Sequence, residues 1–70
     1  MPDITVHVDF TRLTSAGYGT IYGPKTIGLR AGQIIAICDD EADTVEAEVL
    51  EVVGDAATIR AHWDKVLRSA

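Results

Sequence analysis

Thr44-Val45-Glu46-Ala47-Glu48-Val49-Leu50-Glu51-Val52-Val53-Gly54-Asp55-Ala56-Ala57-Thr58-Ile59-Arg60-Ala61-His62-Trp63 decides how this chain folds. The stretch is rich in β-branched residues, alternates apolar with polar side chains, and is broken once, by Gly54-Asp55. A Gly-Asp pair between two alternating runs is the signature of a two-residue hairpin turn. Such a turn sets Val53 opposite Ala56, Val52 opposite Ala57 and Leu50 opposite Ile59. Continued without interruption, the same register sets Val49 against Arg60 and Glu48 against Ala61, which mixes the wet and dry faces. One extra residue near Val49-Leu50 repairs the mismatch, so a β-bulge is predicted there. Beyond it Glu48 meets Arg60, Ala47 meets Ala61, Glu46 meets His62 and Val45 meets Trp63. Opposite charges then share the wet face and apolar groups the dry one.

Upstream, Ile34-Ile35-Ala36-Ile37-Cys38 is an unbroken apolar run, suited to a strand covered on both faces. Arg30-Ala31-Gly32-Gln33 turns the chain into it. Ile4 to Phe10 alternates strictly, with Ile4, Val6, Val8 and Phe10 on one face and Thr5, His7 and Asp9 on the other. Thr14 to Gly23 is rich in Gly, Ser and Tyr and reads as a loop leading into a short strand around Thr20 to Tyr22. Gly23-Pro24-Lys25 is a turn, and Thr26 to Leu29 a further short strand. Downstream, Asp64 to Ser69 is expected to close the chain with a helical turn capped by Asp64. No window of helical periodicity interrupts this pattern.

Seventy residues with 47% hydrophobic content accommodate one domain, residues 1–70, and one small core. The single cysteine, Cys38, excludes an internal disulfide and fits a reducing compartment. Neither a leader-like segment nor a membrane-spanning apolar run is seen, so a cytoplasmic location and no membrane contact are expected. The net charge of −5 is unevenly placed. Asp39, Asp40, Glu41, Asp43, Glu46, Glu48, Glu51 and Asp55 fall in one segment that holds no base, and both flanking segments are mildly basic. Nucleic-acid binders usually carry the opposite, a basic stripe matched to phosphate, so a broad nucleic-acid contact is disfavoured.

The chemistry-bearing patterns are sparse. Gly19 to Thr26 superficially resembles a phosphate-binding loop, but Pro24 stands before Lys25 where glycine is required, and no helix follows. Asp39, Asp40, Glu41 and Asp43 lack the glycine and the distal carboxylate of a helix-loop-helix calcium site, and read as a solvated acidic surface continuing to Glu46 and Glu48. His7 and His62 face outward on the first and last strands. They would make a metal or acid-base site only if those strands were neighbours, and no third ligand stands at convincing spacing. Trp63 follows the inward parity of Ala57, Ile59 and Ala61 and reads as a core plug. Tyr18 and Tyr22, with Arg12, Lys25 and Arg30, form the best candidate contact surface, since tyrosines serve protein interfaces and base stacking alike.

Gly17-Tyr18-Gly19-Thr20-Ile21-Tyr22-Gly23, followed by Leu29-Arg30-Ala31-Gly32-Gln33-Ile34-Ile35-Ala36-Ile37, resembles the opening of the β-barrel second domain of translation GTPases. That family shows a Gly-x-Gly-Thr-Val strand, a short hairpin, and then a leucine, two residues and a glycine that lead into an apolar strand. The resemblance implies a small barrel. The expected fold is therefore all-β: a five- or six-stranded antiparallel barrel or roll, SH3-like or translation-barrel-like, ending in a short helical turn. The expected function is a non-catalytic binding module, without cofactor or metal, that meets a protein partner or a second copy of itself. The alternative is a small nucleic-acid- or ribosome-associated barrel, and the third reading a metal- or His-dependent enzyme that would need His7, His62 and an acid to converge.

Overall fold

A computed structural model describes residues 3–40 and 43–68 of the chain. The described residues form strands β1 (Thr5–His7), β2 (Tyr18–Tyr22), β3 (Ile34–Cys38), β4 (Thr44–Val53) and β5 (Ala56–Arg68). Two 3-10 turns, Phe10–Arg12 and Pro24–Thr26, complete the regular structure. The chain is all-β, and no α-helix occurs among the described residues.

The β4–β5 hairpin is the largest unit. Gly54 turns it with a φ of 59°, and no non-glycine residue among those described has a positive φ, as expected for a two-residue turn with glycine first. Val53 meets Ala56, Val52 meets Ala57, Glu48 meets Arg60 and Ala47 meets Ala61, the pairs that the alternation of the sequence requires. The register slips between Val49 and Glu51, so Leu50 is the extra residue and Val49, not Leu50, faces Ile59. Burial explains the choice. Val49 is fully enclosed, whereas Leu50 remains 38% exposed.

A second slip was not foreseen. Between Ala47 and Val45, two steps along β4 are matched by five along β5, from Ala61 to Val66. Val45 therefore meets Val66 and not Trp63. The indole has left the ladder: it stands edge-on to the Phe10 ring, centroids 5.3 Å apart, and its Nε1 donates to the Ser15 carbonyl at 3.1 Å. Trp63 is half-buried at the margin of the core, not a plug within it. β5 then rejoins the ladder, with Arg68 opposite Thr44. Where a helical turn was expected over Asp64 to Ser69, the chain is strand as far as Arg68; Ser69 lies outside the described residues. Pairing of Val66 with Val45 and of Arg68 with Thr44 holds this segment extended.

The strand order is β1-β3-β4-β5-β2. β1 runs parallel to β3, so the sheet is mixed and not wholly antiparallel. Among the described residues neither β1 nor β2 has a strand on its outer side, so the sheet is open and, of the barrel or roll expected, no closed barrel forms. β1 stops at His7, short of the expected Phe10, because side chains capture the next turn. The Asp9 carboxylate accepts from the Thr11 amide (3.0 Å) and hydroxyl (2.7 Å), and the Asp39 carboxylate accepts from the Phe10 amide (2.8 Å). Pro24 likewise starts a 3-10 turn where a strand from Thr26 was expected, and the Thr26 hydroxyl donates to the Gly23 carbonyl.

Ile35, Ile37, Val49 and Ile59 are wholly enclosed, with Val6, Ile21, Leu29, Val45, Ala47, Ala57 and Ala61 around them. Burying each large aliphatic contributes about 2 kcal/mol. Ala36 is also wholly buried, so the centre of β3 is covered on both faces, as its apolar run suggested. Phe10 and Leu13, from the segment after β1, pack against the open side of this core.

Candidate interaction surface

One end of the sheet exposes apolar side chains together. Tyr22 of β2 and Val53 of β4 both lie opposite Ala56 of β5, which puts them in one row on the outer face. Ile27 follows the second 3-10 turn and borders a shallow cavity of about 510 Å³ with Pro24, Leu29 and Val52. Ile27, Tyr22 and Val53 are 83%, 66% and 65% exposed, the three highest values among the large hydrophobic residues, and they sit at the same end. Isolated exposed aliphatics are ordinary; a group of them at one end of a small domain marks a contact site.

Beside this end lies a cleft of about 340 Å³ between the two edges of the sheet. His7, Val8, Arg12 and Leu13 line one wall and Thr20, Ile21 and Tyr22 the other. The curl of the sheet thus brings β1 and β2 to opposite sides of one gap, although they are the first and last strands in the order. Backbone alternation decides what β2 offers there. The Gly17 carbonyl accepts from the Ala61 amide at 2.8 Å, and the Gly23 amide donates to the Asp55 carbonyl at 2.9 Å. In an antiparallel pair alternate residues exchange both bonds, so Gly19 and Ile21 are bonded to β5, and Tyr18, Thr20 and Tyr22 point their amides and carbonyls away from it. Tyr18 is already satisfied by Thr14, whose hydroxyl accepts from its amide and whose amide donates to its carbonyl. Thr20 and Tyr22 have no backbone partner of this kind among the described residues.

Ionic groups lie both in this cleft, with His7, Asp9 and Arg12, and away from it. On the outer face, Glu46 accepts from His62 Nδ1 at 2.7 Å and approaches Lys65 Nζ at 3.6 Å. Since a carboxylate only accepts, Nδ1 carries the proton in this pair. His62 Nε2 is 3.9 Å from Glu48, too far for a hydrogen bond. The bond from His62 holds the Glu46 carboxyl below its usual value, with the Lys65 charge adding to the effect. The Asp9 carboxyl is also held low, first by the Thr11 hydroxyl and amide and then by the Arg12 charge.

No protein-family model, curated protein or solved structure matches this chain. Its surface has to be read from its own geometry. Of the contact residues picked from the sequence, Arg12 and Tyr22 line one cleft. Tyr18 is 44% exposed and is covered on one side by Arg60, whose Cζ is 5.6 Å from the ring centroid. Lys25 belongs to the second 3-10 turn. Arg30 lies in the turn before β3, which β4 and β5 separate from β2 in the sheet order. Of the five, Arg12 and Tyr22 are the two that line one cavity together among the described residues.

The acidic residues divide as well. Asp39 holds the Phe10 amide, and Asp40 accepts from His7 Nε2 at 2.8 Å, so both tie the end of β1 to the end of β3. Glu46 and Glu48 lie on the outer face of β4, Asp43 precedes β4, and Glu41 lies outside the described residues. His7 and His62 stand on strands separated by β3 and β4, each with its own carboxylate, and are not brought together. Among the described residues no group of three or more histidine, cysteine or acidic side chains is placed to hold a metal ion. No helix among them is long and apolar enough to cross a membrane. Ile27 and Val53 were missed as surface residues. Their only signal was position, next to Gly28 and Gly54, where a turn leaves an aliphatic side chain nothing to pack on.

Proposed function

We propose that this chain is a non-catalytic binding module that meets a protein partner, a second copy of itself included. The observation that carries this reading is the grouping of Ile27, Tyr22 and Val53, the most exposed large hydrophobics, at one end of the sheet. An apolar group without an internal partner gains most from burial against another protein, at about 25 cal/mol for each Å² removed from water. The open sheet beside it, lacking a closing strand, supports the same reading. In this proposal the barrel expected from the sequence is completed only in a complex.

The nucleic-acid alternative draws on exposed Tyr18 and Tyr22, but the geometry favours it less. One face of Tyr18 is occupied by Arg60, and Glu48 stands beside Arg60 in the same cross-strand row. That face of Tyr18 is closed to a stacking base, and a run of phosphates extending along the surface would meet a protein of net charge −5.

Gel filtration of the purified chain, alone at high concentration and mixed with extract of the cells it comes from, tests the module reading. The wild type is expected to move to a larger species in at least one of these conditions. Replacing both Tyr22→Ser and Ile27→Ser should prevent it while leaving the circular dichroism spectrum unchanged, because both side chains are exposed. A strictly monomeric wild type, unaltered by extract, contradicts the proposal.

A further inference from the structure

We propose that the cleft between β1 and β2 takes an extended acidic peptide segment as a sixth strand, paired along Thr20–Tyr22. The inference rests on the binding-module reading and names its site and its partner chemistry. Three features of the cleft point to this occupant.

The first is the edge itself. Thr20 and Tyr22 direct their amides and carbonyls away from β5, and no residue described takes them up. Strand addition to a free sheet edge uses main-chain bonds of this kind for affinity. Tyr18 cannot take part, being bonded to Thr14, so pairing is confined to a short register centred on Ile21. A partner residue opposite Ile21 would point to the inner side of the sheet, towards the wall that includes Val8 and Leu13. Its two neighbours would stand on the outer side with Thr20 and Tyr22. The segment therefore needs one small apolar residue between two polar ones.

The second feature is the volume of the gap. A single cavity touches both sheet edges, and a volume of about 340 Å³ suits a few residues and not a second sheet. β1 and β2 run in opposite directions in the sheet order, so a strand antiparallel to β2 lies parallel to β1. Either edge can accept that direction.

The third feature is charge. Arg12 lines the cleft and forms none of the ion pairs found among the described residues. The one acid in the lining, Asp9, accepts from the Thr11 amide and hydroxyl and lies near enough to feel the Arg12 charge, but forms no ion pair with it. An exposed guanidinium beside a free edge selects a carboxylate, which it can hold by a charge-assisted bond. A segment with the pattern acidic, small apolar, acidic satisfies the edge, the inner wall and Arg12 together.

The test is a titration of the ¹⁵N-labelled full chain with acetyl-Glu-Val-Glu-Val-Glu-amide, followed by amide chemical shifts. The same peptide with alternate backbone nitrogens methylated, and its lysine counterpart, serve as comparisons. The proposal expects saturable shifts centred on Thr20 and Tyr22, at least about tenfold weaker binding of the lysine peptide, and loss of binding with the methylated peptide. Arg12→Glu should reverse the charge preference. Thr20→Pro should remove binding without removing the fold, since the Thr20 amide bonds nothing inside the protein. The methylated peptide provides the same test without altering the protein.

Shifts that survive methylation, or that centre away from β2, overturn the proposal. Concentration-dependent shifts at Thr20 and Tyr22 without peptide would give the edge to a second copy and overturn it as well. No response to any peptide, while the Tyr22- and Ile27-dependent complex persists in gel filtration, overturns strand capture alone. Loss of both results removes the module reading with it.

Discussion

Gly17 shows how narrowly some positions are specified at the scale of a residue. Its φ of 94° lies in the left-handed region, and a Cβ there would overlap the Ala61 carbonyl oxygen that accompanies the β2–β5 ladder. Gly17→Ala should therefore lose about 1–3 kcal/mol of stability, measured by urea unfolding. Gly32→Ala, also at positive φ but with open space around it, should lose less. Glu46 gives a pH-dependent counterpart. Its carboxyl is held below the usual value of 4.5 by the bond from His62, so the folded state binds that proton more weakly than the unfolded chain does. Its stabilising contribution is then complete above the unfolded value and disappears as pH falls through the lowered folded value. Melting temperatures taken from pH 6 down to pH 3 should fall less steeply for Glu46→Gln than for the wild type. An identical slope would show that the His62 bond contributes nothing.

The bulge in β4 is the feature that matters most among the elements. Deleting Leu50 removes the one extra residue and leaves Val49 and Glu51 facing Ile59 and Thr58 as consecutive pairs. The deletion should retain a cooperative thermal transition with a loss of no more than about 3 kcal/mol. Deleting Glu48 instead shifts Ala47 and Val45 to the wet face, which should abolish the transition. This hairpin was legible in the sequence because period-two alternation, one turn signal and charge matching all specified the same register. The second slip, at His62 to Lys65, was not legible. It depends on Trp63 reaching Phe10 and Ser15, contacts far away in the chain that no local pattern encodes. The parallel pairing of β1 with β3 was hidden for the same reason, since alternation reports which face a residue takes and not which strand lies beside it. The end of β1 was also misread, because Asp9 fits the outward parity of a strand as well as it caps the turn that stops it. Of the candidate surface, Arg12 and Tyr22 were found by residue type, while the apolar end was not, since aliphatic residues beside glycines resemble core.

For the whole molecule, segregated charge and an open sheet belong together. The acids of β4 and of the β3–β4 turn are used in tying and screening the closed side: Asp39 and Asp40 hold β1 to β3, and Glu46 pairs with His62 and Lys65. The cleft, whose β1 wall carries the His7–Asp40 pair, retains Arg12 and a free stretch of backbone, with the exposed apolar end beside it. Aggregation through such an edge is limited by its shortness and by the net charge of −5, which keeps copies apart at low salt. Raising the salt should therefore favour self-association, visible as a rise in apparent mass by sedimentation, and the Tyr22→Ser and Ile27→Ser pair should suppress that rise. The central claim is that β2 is bonded on one side only along Thr20–Tyr22. Amide hydrogen exchange on the uncomplexed monomer tests it most directly, residue by residue. Gly19 and Ile21 should be protected, and Thr20 and Tyr22 should exchange at least about tenfold faster. Equal protection at all four positions would mean that the sheet closes along β2, and would contradict the account.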